Sequence, residues 1–115
     1  MSDYYDRTED ARYTRVYKEQ TPDILKAFAE FDQAVFATEG REIPLRYREL
    51  IALAVGLTTQ CVYCIDGHSR RAVAAGATEA ELAETAWVAT AIRAGGGYAH
   101  GRLGFKLSGA ADHQH

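Results

Sequence analysis

The chain has 115 residues, of which 47% are hydrophobic and 25% are charged, and its formal net charge is −3. This length and composition suit one folded domain with its own apolar core. Acidic and basic residues are interspersed, so no basic stripe offers a binding surface to nucleic acid or anionic lipid. We expect neither nucleic-acid nor membrane association.

The N-terminal sequence predicts a cytoplasmic protein. It begins with acidic and polar residues, Met1 to Asp10, and lacks the apolar run of a secretory signal. The longest nearly uncharged stretch, residues 50–65, is too short and too polar to span a bilayer. Residues 1–20 are either a short helix that packs on a neighbour or a loose arm, and residues 109–115 are expected to be a frayed tail.

Two helices are predicted before the cysteines. Thr21 and Pro22 resemble an N-cap followed by proline at the first helical position, and apolar residues then recur at helical spacing until Gly40 ends the helix. Pro44 opens the second helix. Its apolar stripe comprises Tyr47, Leu50, Ile51, Ala54 and Val55. Glu49 is flanked by this stripe without belonging to it.

A third helix is predicted from Cys61 to Ala75, with Gly76 in the position of a left-handed C-cap. A capping box, Thr78 with Glu81, then starts a fourth helix.

The glycine run Gly95–Gly97 is predicted to interrupt the fourth helix, as a joint where helices approach closely, before a last helical piece near residues 98–107. No turn dipeptide separates two alternating runs, so no strand pair is indicated. The sequence predicts an all-α fold.

Cys61 and Cys64 are the only cysteines, and His68 follows four residues after the second. On a helix, residues three and four apart face each other, so Cys61 faces Cys64 and Cys64 faces His68. The first pair can exchange electrons as dithiol and disulfide, and the second pair puts a base or a cation beside a thiol. A helix N-terminus and an imidazolium both lower a thiol pKa. We therefore predict that the site thiol titrates below a free cysteine.

Glu49 admits two interpretations from the residues alone. In the first, its carboxylate orients His68 or takes a proton through it, as the third member of a nucleophile–base–orienter set. In the second, it is a solvated acid paired with Arg46 or Arg48.

The pattern Glu49-x11-Cys61-x2-Cys64-x3-His68 resembles the core motif of the carboxymuconolactone decarboxylase superfamily, and more closely its alkylhydroperoxidase D branch. Arg-Glu-Leu-Ile-Ala-Leu-Ala before the cysteines and Cys-Ile-Asp-Gly-His around the second cysteine belong to the same resemblance. The resemblance implies a helical domain of the alkylhydroperoxidase D type, with a helix-turn-helix core carrying the cysteines, assembled into homotrimers or homohexamers.

The resemblance also implies a cysteine-based peroxidase that reduces hydrogen or organic hydroperoxides and is re-reduced by an external dithiol. Cys64 would be the peroxidatic thiol, Cys61 the resolving thiol, and His68 and Glu49 members of a proton relay. Some relatives carry a second histidine immediately before the second cysteine, where this chain has Tyr63. A tyrosine hydroxyl, with a pKa of about 10, is a poor base near neutral pH, so the relay here is shorter.

Other interpretations stay open. One is a general thiol-disulfide oxidoreductase, and another is a non-catalytic oligomeric protein of the same fold. A zinc site could use the two cysteines, His68 and Glu49, but the sequence has no second pair of ligands at a distance. We expect no metal and no cofactor, since the thiols themselves carry the electrons. His100 is a further candidate for the site, and Asp66 is expected to be a surface acid.

Overall fold

A computed structural model describes residues 5–110 of the chain. Within this range the order of elements is α1 (Arg7–Ala11), α2 (Thr14–Gln20), α3 (Pro22–Val35), α4 (Leu45–Thr59), α5 (Val62–Ala74) and α6 (Glu79–Ser108). None of the described residues forms a strand, which confirms the predicted all-α class. No helix in this part of the chain is long and apolar enough to cross a membrane. Most of the predicted C-terminal tail lies outside the described residues.

Helix α3 begins at Pro22, as predicted, but ends before the predicted position. Pro22 occupies the first turn of α3, but the Thr21 hydroxyl donates to the carbonyl of Tyr17 at 3.2 Å instead of capping α3. The helix ends at Val35 rather than at Gly40. Arg48 accounts for this end, because its guanidinium donates to the carbonyls of Val35 and Ala37 at 2.6 Å each, and these bonds satisfy carbonyls at the helix end.

The last helix is continuous, and the predicted interruption at Gly95–Gly97 is wrong. Its capping box is formed as predicted, and the helix then runs for 30 residues. Each interior glycine costs about 1 kcal/mol relative to alanine, yet glycine adopts helical backbone angles without strain. Apart from the adjacent residues and the nearby backbone of α6 itself, no atom of residues 5–110 lies within 4 Å of a Cβ added at these glycines, so no other helix of this part of the chain approaches closely there.

Helix α4 lies between α5 and α6 and supplies both leucines of the small core. Its buried residues are Glu49, Leu50, Leu53 and Gly56. The predicted apolar stripe is therefore not the buried face: of its five residues only Leu50 is buried, and Tyr47, Ile51 and Val55 are exposed. Glu49 lies on the buried face and contacts His68 of α5.

Candidate functional site

The two cysteines lie at the turn between α4 and α5. Gln60 ends α4 in the left-handed conformation, with φ of 57°, and Cys61 is the N-cap of α5. The Sγ of Cys61 accepts a hydrogen bond from the backbone N–H of Cys64 at 3.2 Å. The cysteines are joined in a disulfide, with their Cα atoms 5.2 Å apart. The first helical turn thus brings together the pair that the spacing predicted would face each other.

Both sulfur atoms occupy the N-terminal end of a 13-residue helix. Backbone N–H groups in the first turn have no partner within the helix, and the helix dipole is positive there. Helix N-termini of this kind favour the thiolate form of a cysteine in proteins generally. Both cysteines are half-buried, so a small reagent can reach the turn.

One turn farther along α5, His68 contacts Glu49 of α4. The Nδ1 of His68 lies 2.6 Å from the Oε1 of Glu49, and the side chains are 14% and 2% exposed. A carboxylate only accepts hydrogen bonds, so Nδ1 donates in this contact, and a neutral ring then has Nε2 as its acceptor. The pair can therefore hold a base in a fixed orientation on the helix that carries the cysteines.

The structure pairs Glu49 with His68 and not with the arginines that precede it on α4. The two arginines that precede it on α4 are engaged elsewhere: Arg46 lies 3.7 Å from Glu81, and Arg48 donates to the carbonyls of Ile43 and Ala37. Glu49 instead pairs with His68 and, at 3.7 Å, with the Nε of Arg71. The solvated ion pair with Arg46 or Arg48 is not formed.

Two residues that support the site were not identified from the sequence. The Phe36 ring lies on the His68 ring, with centroids 4.8 Å apart. A Cβ on Gly56 would lie 3.0 Å from the Cβ of Cys64, so glycine allows α5 to approach α4 at the cysteines. A signal for Gly56 was present, because it follows Glu49 by seven residues and so shares its helix face.

A second cluster lies where the N-terminal segment meets α5. Asp66 accepts hydrogen bonds from the Tyr5 hydroxyl and from Arg70, and Tyr63 donates to Asp10 at 2.8 Å. The Tyr5 and Tyr63 rings meet edge to face at 5.0 Å. Asp66 was expected to be a simple surface acid, whereas its side chain is only 17% exposed and binds the N-terminal segment to α5.

The hydrogen bonds in this second cluster shift the pKa values of Asp66 and Tyr5 in opposite directions. Donation from Tyr5 and Arg70 lowers the pKa of Asp66, because both bonds favour the carboxylate. The same bond to Asp66 raises the pKa of Tyr5, because it favours the neutral hydroxyl that donates.

The remaining candidates are His100 and a metal site. His100 is exposed on α6. Among residues 5–110, no group of three or more His, Cys, Asp or Glu side chains is arranged to hold a metal ion.

Comparisons with known proteins identify the family to which the chain is related. Residues 22–103 match the model of the carboxymuconolactone decarboxylase family. Protein 4 in the cox locus of Paracoccus denitrificans, which is uncharacterized, is 43% identical over 77 residues, or 67% of this chain and 68% of the relative. An uncharacterized protein of Haemophilus influenzae is 44% identical over 53 residues, or 46% of this chain and 45% of the relative.

Two solved structures share the fold. Apo-lpg0406, a carboxymuconolactone decarboxylase family protein from Legionella pneumophila, superimposes with a TM-score of 0.66 at 27% identity and 74% coverage of each chain. A protein from Methanobacterium thermoautotrophicum superimposes with a TM-score of 0.67 at 34% identity, over 76% of this chain and 98% of its own. These matches confirm the family and the helical fold that the cysteine motif predicted.

Proposed function

The chain belongs to the carboxymuconolactone decarboxylase family, and on that premise we propose that it is a cysteine-based peroxidase of the alkylhydroperoxidase D type. The observation that carries the proposal is one disulfide at the N-terminus of α5, on the same helix that holds His68 against Glu49. The decarboxylase branch does not depend on paired cysteines, so this pair favours thiol chemistry over lactone decarboxylation.

The proposed cycle has three steps. The Cys64 thiolate attacks the terminal oxygen of a hydroperoxide, the O–O bond breaks, and the alkoxide leaves and takes a proton to become an alcohol. The Cys61 thiol then attacks the sulfenic acid on Cys64, releasing water and closing the disulfide. An external dithiol finally reduces the disulfide and is itself oxidised to a disulfide.

His68 and Glu49 manage the proton in this cycle. The Nε2 of His68 accepts the proton of the Cys64 thiol, and Glu49 stabilises the resulting imidazolium through Nδ1. The buried position of Glu49, at 2% exposure, strengthens that interaction because water does not screen it. The proton passes from His68 to the leaving alkoxide. Tyr63 does not serve as a second base, since its hydroxyl donates to Asp10.

One observation favours a second candidate, a general thiol-disulfide oxidoreductase. The Sγ of Cys61 occupies the N-cap and accepts the backbone N–H of Cys64, so Cys61 receives a direct hydrogen bond that stabilises its thiolate. In this alternative Cys61 attacks a disulfide in another molecule, and Cys64 resolves the mixed disulfide. Both candidates suit the cytoplasm, where thiols are kept reduced.

Matched serine variants separate the two functions. For the peroxidase, we expect Cys64→Ser to abolish hydroperoxide consumption and Cys61→Ser to stop at a sulfenic acid that a dimedone probe captures. For the oxidoreductase, Cys64→Ser should instead trap a mixed disulfide through Cys61 with a small disulfide probe such as oxidised glutathione. Equal peroxide turnover in both serine variants would reject the assignment of roles.

We extend the proposal to a homotrimer or homohexamer. The chain exposes 9116 Å², whereas a compact monomer of its mass, 12.7 kDa, exposes about 6,200 Å². Its radius of gyration is 19.5 Å, against about 13 Å for a compact domain of this length. Large apolar side chains on α3 and α6 are more than 60% exposed: Ile24, Phe28, Phe31, Trp87 and Ile92.

A second copy of the chain is the proposed cover for these apolar faces. Sedimentation equilibrium should give a mass of three or six times 12.7 kDa. A monomeric mass at micromolar concentration would contradict the proposed assembly.

A further inference from the structure

The two oxygens of Glu49 have different partners. Oε1 contacts the Nδ1 of His68 at 2.6 Å, and Oε2 lies 3.7 Å from the Nε of Arg71. Glu49 is 2% exposed, whereas the Arg71 side chain is 58% exposed. A buried carboxylate needs a nearby cation, because an unpaired charge in the interior is very costly.

Gly67 makes the approach of Arg71 sterically feasible. A Cβ on Gly67 would lie 2.9 Å from a terminal nitrogen of the Arg71 guanidinium. The guanidinium therefore lies over the backbone of α5 in space that any other residue at position 67 would occupy. The other described residues that line the hollow between Glu49 and Arg71 are uncharged: Phe36, Leu45, Ala74 and Ala75.

We propose that Arg71 is a positioning residue that neutralises Glu49 whenever His68 is uncharged, with Gly67 providing the space for it. The proposal rests on the proposed relay through His68, and it assigns the relay a second cation. It concerns the charge balance of the pair rather than contact with a substrate.

The charge balance gives Arg71 a defined role at each stage. Before the Cys64 thiol loses its proton, His68 must be neutral with a free Nε2, so Arg71 is then the only partner with a positive charge for Glu49 among the contacts described. After the proton reaches His68, the imidazolium pairs with Glu49, and the exposed Arg71 is free to turn toward solvent.

Without Arg71, the buried charge of Glu49 is neutralised in one of two other ways. In one, His68 keeps two ring protons and pairs with Glu49 as an imidazolium. In the other, Glu49 is protonated and donates a hydrogen bond to Nδ1, so the single ring proton of a neutral His68 lies on Nε2. In both outcomes Nε2 carries a proton and cannot accept one from the thiol.

The test is a nitrogen NMR titration of histidine in the oxidised protein, where no thiol titrates. The His68 signals are assigned by their loss in His68→Gln. In the parent protein, His68 should be neutral at pH 8 with its proton on Nδ1. In Arg71→Gln, the ring should either hold both protons to a higher pH than in the parent or carry its single proton on Nε2.

Three further variants sharpen the result. Arg70→Gln removes a charge from the adjacent position, which pairs with Asp66, and should leave the His68 signals close to those of the parent. Arg71→Lys keeps the charge and should restore the parental titration. Gly67→Ala displaces the guanidinium without removing it, and alanine suits a helix, so it should reproduce part of the Arg71→Gln change in a folded protein.

Identical His68 titrations and tautomers in Arg71→Gln and Arg70→Gln would overturn the proposal. The measurement uses neither peroxide nor reduced thiols, so it is independent of peroxidase activity. If the His68 signals do not change in Arg71→Gln while the parent protein is an active peroxidase, only the role of Arg71 is rejected. The expected change in a protein that consumes no hydroperoxide supports the charge balance and rejects the peroxidase.

Discussion

Glu49, which packs against α5 from α4, and Asp66, which lies on α5, make similar contacts at different depths of burial. Glu49 is held by His68 and Arg71, and Asp66 is held by Tyr5 and Arg70. The two arginines are consecutive, and consecutive helix positions point about 100° apart, so they serve different faces of α5. The exposed fractions are 2% for Glu49 and 17% for Asp66.

This difference in burial gives the two groups of residues different expected roles. In the buried cluster of Glu49, His68 and Arg71, removing one partner leaves a charge or a polar group that is neither paired nor hydrated, which is strongly unfavourable. The second cluster, which joins Asp66 to Tyr5 and Arg70, is the outer cluster of the two. There, water and salt can replace a lost partner, so each contact contributes little. We therefore expect the buried cluster to control reactivity and the outer cluster to hold the N-terminal segment.

The largest predicted effect comes from Glu49→Gln. The variant keeps the shape of the side chain but removes the charge that stabilises the His68 imidazolium, so hydroperoxide consumption should fall about 100-fold. Stopped-flow measurement of peroxide loss with reduced protein gives the rate. Asp66→Asn is the matched control and should retain most of the parental rate. Comparable losses in the two variants would erase the functional distinction between the clusters.

Gly56→Ala should have the next largest effect, through the packing behind the buried cluster. The added methyl would lie 3.0 Å from the Cβ of Cys64, so α5 must shift, and the free energy of unfolding should drop by about 1–3 kcal/mol. Chemical denaturation measures this change.

Gly97→Ala provides the control for Gly56→Ala. Apart from the adjacent residues and the nearby backbone of α6, no atom of residues 5–110 lies within 4 Å of its added methyl, so the helix should gain about 0.5–1 kcal/mol. A destabilised Gly97→Ala protein would reveal a neighbour at that position from a second copy of the chain.

The outer cluster should respond to pH at both extremes. The lowered pKa of Asp66 stabilises attachment of the N-terminal segment above about pH 4, and that contribution disappears as pH falls through the lowered pKa. The raised pKa of Tyr5 has the opposite sign, so its contribution is complete below about pH 10 and disappears as pH rises through the raised pKa.

Ring signals of Tyr5 in NMR spectra should report both transitions. Asp66→Asn should remove the acid transition and weaken attachment of the segment at neutral pH. A Tyr5 signal that does not change between pH 2 and pH 6 in the parent would contradict the assigned role of Asp66.

The smallest predicted effect is that of salt. Raising the ionic strength to about 1 M shortens the screening length to about 3 Å. The contact of Arg7 with Asp66, at 3.9 Å and with Arg7 56% exposed, should weaken, while the His68–Glu49 contact should persist. Tyr5 signals should shift with salt, and His68 signals should stay constant.

Much of the helical framework was predictable because its signals are local. Pro22 at the start of α3 and the capping box of Thr78 with Glu81 depend on neighbours within one turn. The prediction of a break at the glycine run was wrong, because the free-energy cost of three glycines is small beside the stabilisation that the other residues give a 30-residue helix. Arg71 went unnoticed because nothing local distinguishes it from Arg70.

The sequence by itself determined the all-α class, the family motif, and the arrangement of Cys61, Cys64 and His68 along one helix, because spacing within a helix sets which residues share a face. Only the tertiary structure decided which face of α4 is buried, and with it the pairing of Glu49 with His68 rather than with its neighbouring arginines. That choice depends on how α4 is rotated against α5. The rotation follows from packing across the whole contact, including Gly56 against Cys64, which no local pattern specifies.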